Sequence, residues 1–336
     1  MANAATIHPP QSAPAVLMVR PARFGFNAQT AASNAFQHNC AAVPGSAGEN
    51  ELRSLALREF DALAEALAQA GVRVIVADDT ALPVKPDAVF PNNWVSFHLD
   101  GTVVLYPMMA PNRRAERREE VLHQLSAEGG FGIARTVDLT HHEQQGKFLE
   151  GTGSMVLDRV NRVAYANLSP RTHLDVLGDF AQRLDYELVT FDACDGEGRA
   201  IYHANVLMAI GSGFAVVCGA AIGESLHREA VYSKLRATGR ELIELSPAQM
   251  QAFAGNLLEL APAGAAGQER RIALSGTAWR SLDPAQRRTL ERHGGIVCVE
   301  IPTIERCGGG GVRCMLAEIH LPARAGRVES ASTLLS

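Results

Sequence analysis

The chain repeats one order of hydrophobic and polar positions along most of its length. Two short β-rich runs, at 95–98 and 102–106, meet at Asp100-Gly101, a hairpin signal. An Arg- and Glu-rich helical stretch over 112–127 follows, and then a strand at 133–139. The order recurs with strands at 154–157 and 162–166, a helix over 171–184 and a strand at 187–191. It recurs again with strands at 205–210 and 214–218 around Gly211-Ser212-Gly213, a helix over 224–237 and a strand at 241–245. A less regular fourth copy has strands at 257–260 and 271–275 around a Gly/Ala-rich turn at 264–267, helices to Arg292, and a strand at 295–301.

The fifth copy is divided between the chain ends. A lone apolar strand at 314–321 has no partner after it, and a lone apolar strand at 16–19 opens the chain. The latter leads to a helix over 49–70, with Leu52, Leu55, Phe60, Leu63, Ala64 and Leu67 on one face and a C-cap at Gly71, then a strand at 72–77. First strands begin near Asn93, Ser154, Asn205, Asn256 and Cys314, at spacings of 61, 51, 51 and 58. Such a period marks a propeller-like array closed by its own termini. Strand–helix alternation alone also fits an open doubly wound sheet; the split fifth unit favours closure.

Composition narrows the setting. The 336 residues are 47% apolar and 20% charged, with a net charge of −5 spread along the chain. No basic stripe speaks for nucleic acid, and no run reaches the roughly 20 residues of a membrane span. The first fifteen residues lack the pattern of a secretion signal. Six scattered cysteines without a CxxC pair read as reduced thiols of a cytoplasmic protein. Residues 1–14 and 323–336 read as tails, the N-terminal one flexible, around a single domain over 15–322.

The chemistry is sought at the matching repeat positions, which bring Asn93, Glu150, His203, Asn205 and Cys314 to one central cavity. Taken singly, Cys314 reads as a small buried hydrophobe, His203 as a structural imidazole and Glu150 as a cap. Taken together, a thiol, an imidazole and a carboxylate are the inventory of covalent thiol catalysis. Gly308–Gly311 lacks the Lys-Ser/Thr of a phosphate loop, and His141-His142-Glu143 lacks the spacing of a zinc site, so no metal is expected. The glycines beside Cys314 read as backbone that lets a substrate carbon approach the thiol. The cluster at 113–118 reads mostly as a solvated helix face.

Three motifs resemble a known superfamily: Phe148-Leu149-Glu150-Gly151-Thr152-Gly153, Tyr202-His203-Ala204-Asn205, and Gly308-Gly309-Gly310-Gly311-Val312-Arg313-Cys314. They are similar to the catalytic motifs of the amidinotransferase, or guanidine-modifying, superfamily, whose members share the pentein fold. The resemblance implies an α/β, five-bladed pseudo-symmetric propeller of ββαβ units. Val19-Arg20-Pro21, Phe24-Gly25-Phe26-Asn27 and the run from Pro86 to Trp94 bring the likeness closest to the citrulline-utilisation hydrolase branch. The resemblance spans about 16–322.

Carried over by position, it implies Cys314 as nucleophile, His203 as general acid/base, and Glu150 as the carboxylate holding substrate and imidazole. It implies Arg113 and Arg171 as a clamp on a substrate α-carboxylate, with Asn34 and Asp87 also contacting substrate. Arginine deiminases carry Asp where this chain has Asn93 and Asn205. A guanidinium is all donors and wants carboxylates, whereas an amide matches either end of a neutral ureido group. The expected activity is therefore hydrolysis of citrulline to ornithine, ammonia and carbon dioxide, by a cytoplasmic enzyme without cofactor. The expected partner is a small molecule, not nucleic acid or membrane, and a homo-oligomer is compatible with the sequence. A relative acting on arginine, agmatine or methylated arginine, or a catalytically silent binding protein on the same fold, are the alternatives; the two arginines speak against agmatine.

Overall fold

The repeated hairpin-then-helix pattern becomes five three-stranded sheets joined by one kind of connection. The computed structural model describes residues 10–40, 47–262 and 269–324. Its strands are β1 (Ala15–Arg20), β2 (Arg73–Asp78), β3 (Val95–Phe97), β4 (Thr102–Leu105), β5 (Arg135–Asp138), β6 (Met155–Asp158), β7 (Val163–Asn167) and β8 (Glu187–Phe191). They continue with β9 (Met208–Ile210), β10 (Phe214–Val217), β11 (Glu241–Glu244), β12 (Leu258–Leu260), β13 (Arg271–Ser275), β14 (Gly295–Val299) and β15 (Ala317–Ile319). In each of four sheets the first two strands pair antiparallel and the third joins the second in parallel. The fifth sheet has the same plan from the two chain ends: β15 pairs antiparallel with β1, and β1 pairs in parallel with β2.

Burial explains the apolar runs. The middle strands are buried on both faces: all four residues of β10, Phe214-Ala215-Val216-Val217, are wholly inaccessible. The third strands face solvent on one side and alternate accordingly, as Arg135, Thr136, Val137 and Asp138 of β5 show, with only Val137 buried. Helix Ala47–Gln69 packs Ala56, Phe60, Leu63 and Leu67 inward; Leu55, placed on the apolar face from the sequence, points outward instead. No helix of the described residues is long and apolar enough to cross a membrane.

Four expectations change. The polar residues expected to open the first strands lie one step earlier, on short turns. Asn93 ends a 3-10 turn Pro91–Asn93, and Cys314 lies in another, Val312–Met315. Asn205 belongs to a one-turn helix, Ala204–Leu207. The cause is local: the amides of Asn93, Asn256 and Cys314 bond to carbonyls three residues back, so none enters a ladder. The second change concerns the N-terminal tail. Residues 11–13 are buried; Gln11 donates to the carbonyls of Leu157 and Ile210, and Ala13 bridges to Leu260. The start of the C-terminal tail is also held, with Ala323 bridged to Phe131 and the Arg324 amide bonded to the Gly130 carbonyl; residues 1–9, 325–336 and the turn at 264–267 lie outside the described residues.

Third, the 112–127 stretch divides into a 3-10 turn Pro111–Glu116 and a helix Glu119–Ala127, and Arg113 and Glu116 of the expected solvated face are buried against each other. Fourth, Cys40 and Cys307 form a disulfide, where only free thiols were expected. They stand 267 residues apart in sequence, but the fold brings their Cα atoms to 5.5 Å, a proximity that spacing cannot reveal. The bond ties the segment before Cys40 to the end of helix Pro302–Gly308. Denaturing alkylation without reductant should therefore label Cys194, Cys218, Cys298 and Cys314, and leave Cys40 and Cys307 unlabelled until reduction. Labelling of all six without reductant would refute the pairing.

Candidate active site

Glu150 is the most deeply held member of the set, with no exposed surface, at the start of the one-turn helix Gly151–Ser154. Two glycines make its placement feasible. Gly151 has φ +48, and a Cβ there would lie 2.3 Å from the carbonyl oxygen of Asn92. At Gly153 a Cβ would meet Asn93 Nδ2 at 2.5 Å and His203 Nδ1 at 2.6 Å. A larger residue at either position would push the turns carrying Asn93, Glu150 and His203 apart.

Three cationic or protonatable groups converge on one Glu150 oxygen. Oε2 lies 3.0 Å from His203 Nε2, 3.4 Å from Arg171 Nη1 and 3.6 Å from Arg113 Nη1, while Oε1 accepts the Met109 amide at 3.2 Å. Burial alone pushes the carboxyl pKa up; Arg171, the His203 hydrogen bond and Arg113 outweigh it and hold Glu150 well below the usual carboxylate range. Burial drives His203 the other way, down to about 4 against the opposing pull of Glu150, so the imidazole is neutral near pH 7. A neutral ring facing a carboxylate through Nε2 must carry its proton there. Nδ1 is then the free lone pair.

The two arginines are held differently. Arg113 presents its Nε/Nη2 edge to both oxygens of Glu116, at 2.9 Å each, and gives Nη1 to Asn93 Oδ1 at 2.9 Å. Its bidentate edge is thus already filled by a carboxylate. Arg171 turns the same edge to a single neutral atom, Ser33 Oγ, at 2.9 and 2.8 Å, and also donates to the Thr30 carbonyl. Its guanidinium lies 4.8 Å from the centre of the Tyr202 ring.

At the other side of the cavity, Cys314 Sγ sits between two amides. Asn256 Nδ2 donates to it at 3.3 Å and Asn205 Nδ2 at 3.6 Å. Burial pushes the thiol pKa up; the Asn256 bond, the neighbouring Arg313 and the Asn205 bond pull it down without winning. The thiol is protonated at rest. Asn256 Oδ1 is buried without a hydrogen-bond partner.

The N-terminal segment covers the site. Asn34 donates to the Gly309 carbonyl at 3.2 Å, and Tyr202 donates its hydroxyl to the same carbonyl at 2.6 Å. Gly309 has φ +67 and sits against Asn34 and Gln37, and Gly308 and Gly310 pack against the Phe90 ring, so these glycines serve close packing as well as lining the cavity. Asp87 accepts from Asn27 at 2.7 Å and Thr30 at 3.2 Å through Oδ2, while Oδ1 is buried and unpartnered. Burial pushes the Asp87 pKa up, against Arg113 and these bonds. The resulting cavity is almost filled, with about 10 Å³ of free space, and touches Cys314, His203, Asn93, Asp87, Arg113 and Arg171.

All nine residues singled out from the sequence therefore lie in or directly around one cavity. Asn256 and Glu116 were not among them. Asn256 had a signal, since it stands where its repeat begins; Glu116 had none beyond its spacing from Arg113. His141, His142 and Asp179 gather at a partly exposed place elsewhere, with ligand atoms within 4.8 Å of one another. Adjacent histidines could not reveal that grouping, because Asp179 comes from a different element.

The buried imidazoles predict how stability responds to acid. His98, His203 and His320 are all held below the ordinary value of 6.5, chiefly by burial, His203 and His320 to about 4. The unfolded chain then takes up protons that the folded chain refuses. Stability is fully present above about pH 6.5 and falls towards pH 4, by roughly 1 kcal/mol per pH unit for each histidine. Urea midpoints should drop between neutral pH and about pH 5; level midpoints would mean that these rings are charged in the folded protein.

Comparison with known proteins follows from this geometry. The family model described as eukaryotic N,N-dimethylarginine dimethylhydrolase matches residues 20–321. No curated protein matches the chain significantly. Among solved structures, the N-terminal domain of ArgZ, an arginine dihydrolase from the ornithine–ammonia cycle in cyanobacteria, is similar in a complex covalently bound to a reaction intermediate. The TM-score is 0.67 at 18% identity, covering 91% of this chain and 99% of that one. AgrE with ornithine and NAD+ gives 0.68 at 18% identity over 93% of this chain, which spans only 40% of that longer protein. The dimethylarginine dimethylhydrolase of Pseudomonas aeruginosa complexed with citrulline gives 0.62 at 15% identity, over 92% of this chain and 100% of that one. These likenesses place the fold among the α/β pentein structures, and the family match adds the chemistry class. The chain belongs to the N,N-dimethylarginine dimethylhydrolase family, C–N hydrolases of the amidinotransferase, or pentein, superfamily.

Proposed function

We propose that the chain is a cysteine-dependent hydrolase that converts citrulline to ornithine, ammonia and carbon dioxide through a covalent thiol intermediate. The observation that carries this reading is the polarity of the cavity around Asn93. Arg113 can only donate, so it occupies the Asn93 oxygen; of the two Asn93 N–H groups one is given to Asn92 Oδ1 at 3.0 Å, which leaves the other to offer to a substrate. A ureido carbonyl accepts such a donor; a guanidinium has no acceptor to give it.

In this reading the neutral His203 takes the Cys314 proton at Nδ1 as sulfur bonds to the ureido carbon. It returns that proton to the departing nitrogen as a C–N bond breaks. Water, deprotonated by His203, then splits the S–C bond, and the carbamate so released decomposes to amine and carbon dioxide. Glu150 fixes the ring and its tautomer, and Asn205 and Asn256 hold the sulfur as it becomes anionic. A resting imidazolium has no part in this route, because burial keeps the ring uncharged.

The clamp also divides. Arg171, whose fork now holds two neutral groups, the Ser33 hydroxyl and, through Nη2, the Thr30 carbonyl, is suited to an α-carboxylate that displaces the hydroxyl, and the unpartnered Asp87 Oδ1 to an α-ammonium. Arg113 acts as a positioning residue for Asn93 and Glu150, and Asn34 holds the glycine run over the site. We also read the five sheets as blades of a closed propeller forming one domain over 15–322. In support, β15 packs beside β3, β6 beside β9 and β9 beside β12.

A second reading, hydrolysis of arginine or a methylated arginine, is favoured by the family match and by Asp87 Oδ1, which could accept a guanidinium N–H. A panel of ureido and guanidino amino acids, assayed for ammonia and amino-acid product, separates the two. Citrulline should yield ornithine, and Cys314→Ala should abolish turnover with the fold intact. Asn93→Asp with Asn205→Asp should lower the ratio of kcat/KM for citrulline to that for arginine; a fixed or rising ratio overturns the citrulline reading.

The arginines give a further contrast. Arg171→Lys should raise KM for citrulline about tenfold or more with a smaller change in kcat, the size of a lost charge-assisted bond. Arg113→Lys should act mainly on kcat, because it loosens Asn93 and Glu150. The same KM effect from both variants would mean that both touch the carboxylate.

A further inference from the structure

A second cavity lies apart from the one beside Cys314. It has about 610 Å³ and lies at the opposite ends of the same strands. Asn93 precedes β3 and His98 follows it; Glu150 precedes β6 and Arg159 follows it; Cys314 precedes β15 and His320 follows it. The hairpin turns and the end of helix Leu174–Leu184 complete its walls.

Its lining is cationic. Four arginines contribute: Arg159 and Arg162, Arg135, which pairs with Asp100 at 3.3 Å, and Arg183, which pairs with Asp179 at 2.5 Å; Asp185, the other lining carboxylate, is almost fully exposed. The guanidinium of Arg162 stacks 4.8 Å from the Tyr186 ring, beside Leu99, Leu184 and Pro322, so the walls between the charges are apolar. The buried end is underpartnered. Arg159 is 2% exposed, yet its Nη2 has no hydrogen-bond partner; its ion pair, to Glu318, is 3.6 Å long and made by Nε. His320, 3% exposed, gives Nε2 to Glu318 at 3.4 Å and leaves Nδ1 without a partner. Arg159 Nη2 is the unmet donor, since the neutral ring of His320 leaves Nδ1 as an acceptor, and buried donors are rarely left unmade without a ligand or water to meet them.

We infer that this cavity binds a small organic anion, a phosphate or carboxylate carried on an apolar body. The head group would sit between Arg159 and the rim arginines Arg135 and Arg183, and the body against Tyr186 and Leu184. A guanidinium cluster with one deeply placed member gives charge-assisted bonds of the kind that fix such head groups, and aromatic and aliphatic walls supply the remaining contact. The site is separate from the Cys314 cavity and does not depend on which substrate that cavity takes.

The test is calorimetric titration of the full chain with phenyl phosphate and with benzoate, phenol serving as the uncharged control. At least one anion should bind, more weakly as salt rises, and the tighter one identifies the head group. Arg159→Met should weaken that binding by about tenfold or more, as expected for loss of a charge-assisted bond. Arg135→Gln combined with Arg183→Gln, at more exposed positions that leave the core untouched, should weaken it by about threefold or more and flatten its salt dependence. Arg171→Lys, in the other cavity, should leave it unchanged. Absence of binding by either anion, equal binding of phenol, or affinity that survives the Arg135/Arg183 double variant but falls in Arg171→Lys would each overturn the assignment.

Discussion

The site depends on one buried charge, that of Glu150. Removing a carboxylate from water costs several kcal/mol, and the cost is offset only by close, well-placed partners. Arg113, Arg171 and His203 provide them, and each passes the constraint outward. Because arginine can only donate, Arg113 fixes which way the Asn93 amide points. Arg171 fastens the segment around Thr30 and Ser33, and His203 is forced into the Nε2–H tautomer. An apolar residue in place of Glu150 would leave two buried guanidinium groups facing each other. The anion thus specifies the geometry of the cavity more than any single hydrophobic contact does.

A second buried carboxylate, Glu318, plays the corresponding part at the other ends of the strands. Arg313 Nη2 holds it at 2.8 Å, Arg159 at 3.6 Å and His320 at 3.4 Å. Burial would raise its pKa, but Arg159 and Arg313 hold it far below the usual range. Arg313 is next to Cys314 in the chain, so the thiol lies between two ion networks with a strand of only three residues following its turn. Short strands are the reason a five-sheet protein can place polar groups at both ends of a first strand while its middle strands stay largely apolar.

How much of this was legible follows from which physics leaves a local trace. The sheets were, because each strand carries its apolar run and each hairpin its turn residues; β8 and β13 have the bounds read from the sequence. Repeat spacing also placed Asn93, Asn205 and Asn256 at equivalent positions, and Asn256 contacts the thiol although no motif drew attention to it. What left no trace was burial of charge. Arg113 and Glu116, three apart, have the spacing of a solvated pair, and only the fold shows both sealed from water. The Cys40–Cys307 contact and the protonation states of Cys314 and His203 are equally non-local, since each is decided by elements distant in sequence.

Those protonation states bear on why two amides should attend the sulfur. A thiol and an imidazole that are both uncharged at rest must separate charge when the substrate arrives, inside a site from which water is largely excluded. A guanidinium substrate would bring its own positive charge to offset the nascent thiolate. A ureido substrate, under the proposed reaction, brings none, so stabilisation has to be built into the protein. The N–H groups of Asn205 and Asn256 and the charge of Arg313 are already aligned on or beside Sγ, and their orientation costs nothing at the moment of proton transfer. Carboxylates at Asn93 and Asn205 would suit the cation but oppose the thiolate. Under the proposed reaction, an amide in place of a carboxylate at Asn93 and Asn205 acts on the sulfur as well as on the substrate head, and both effects suit a neutral substrate.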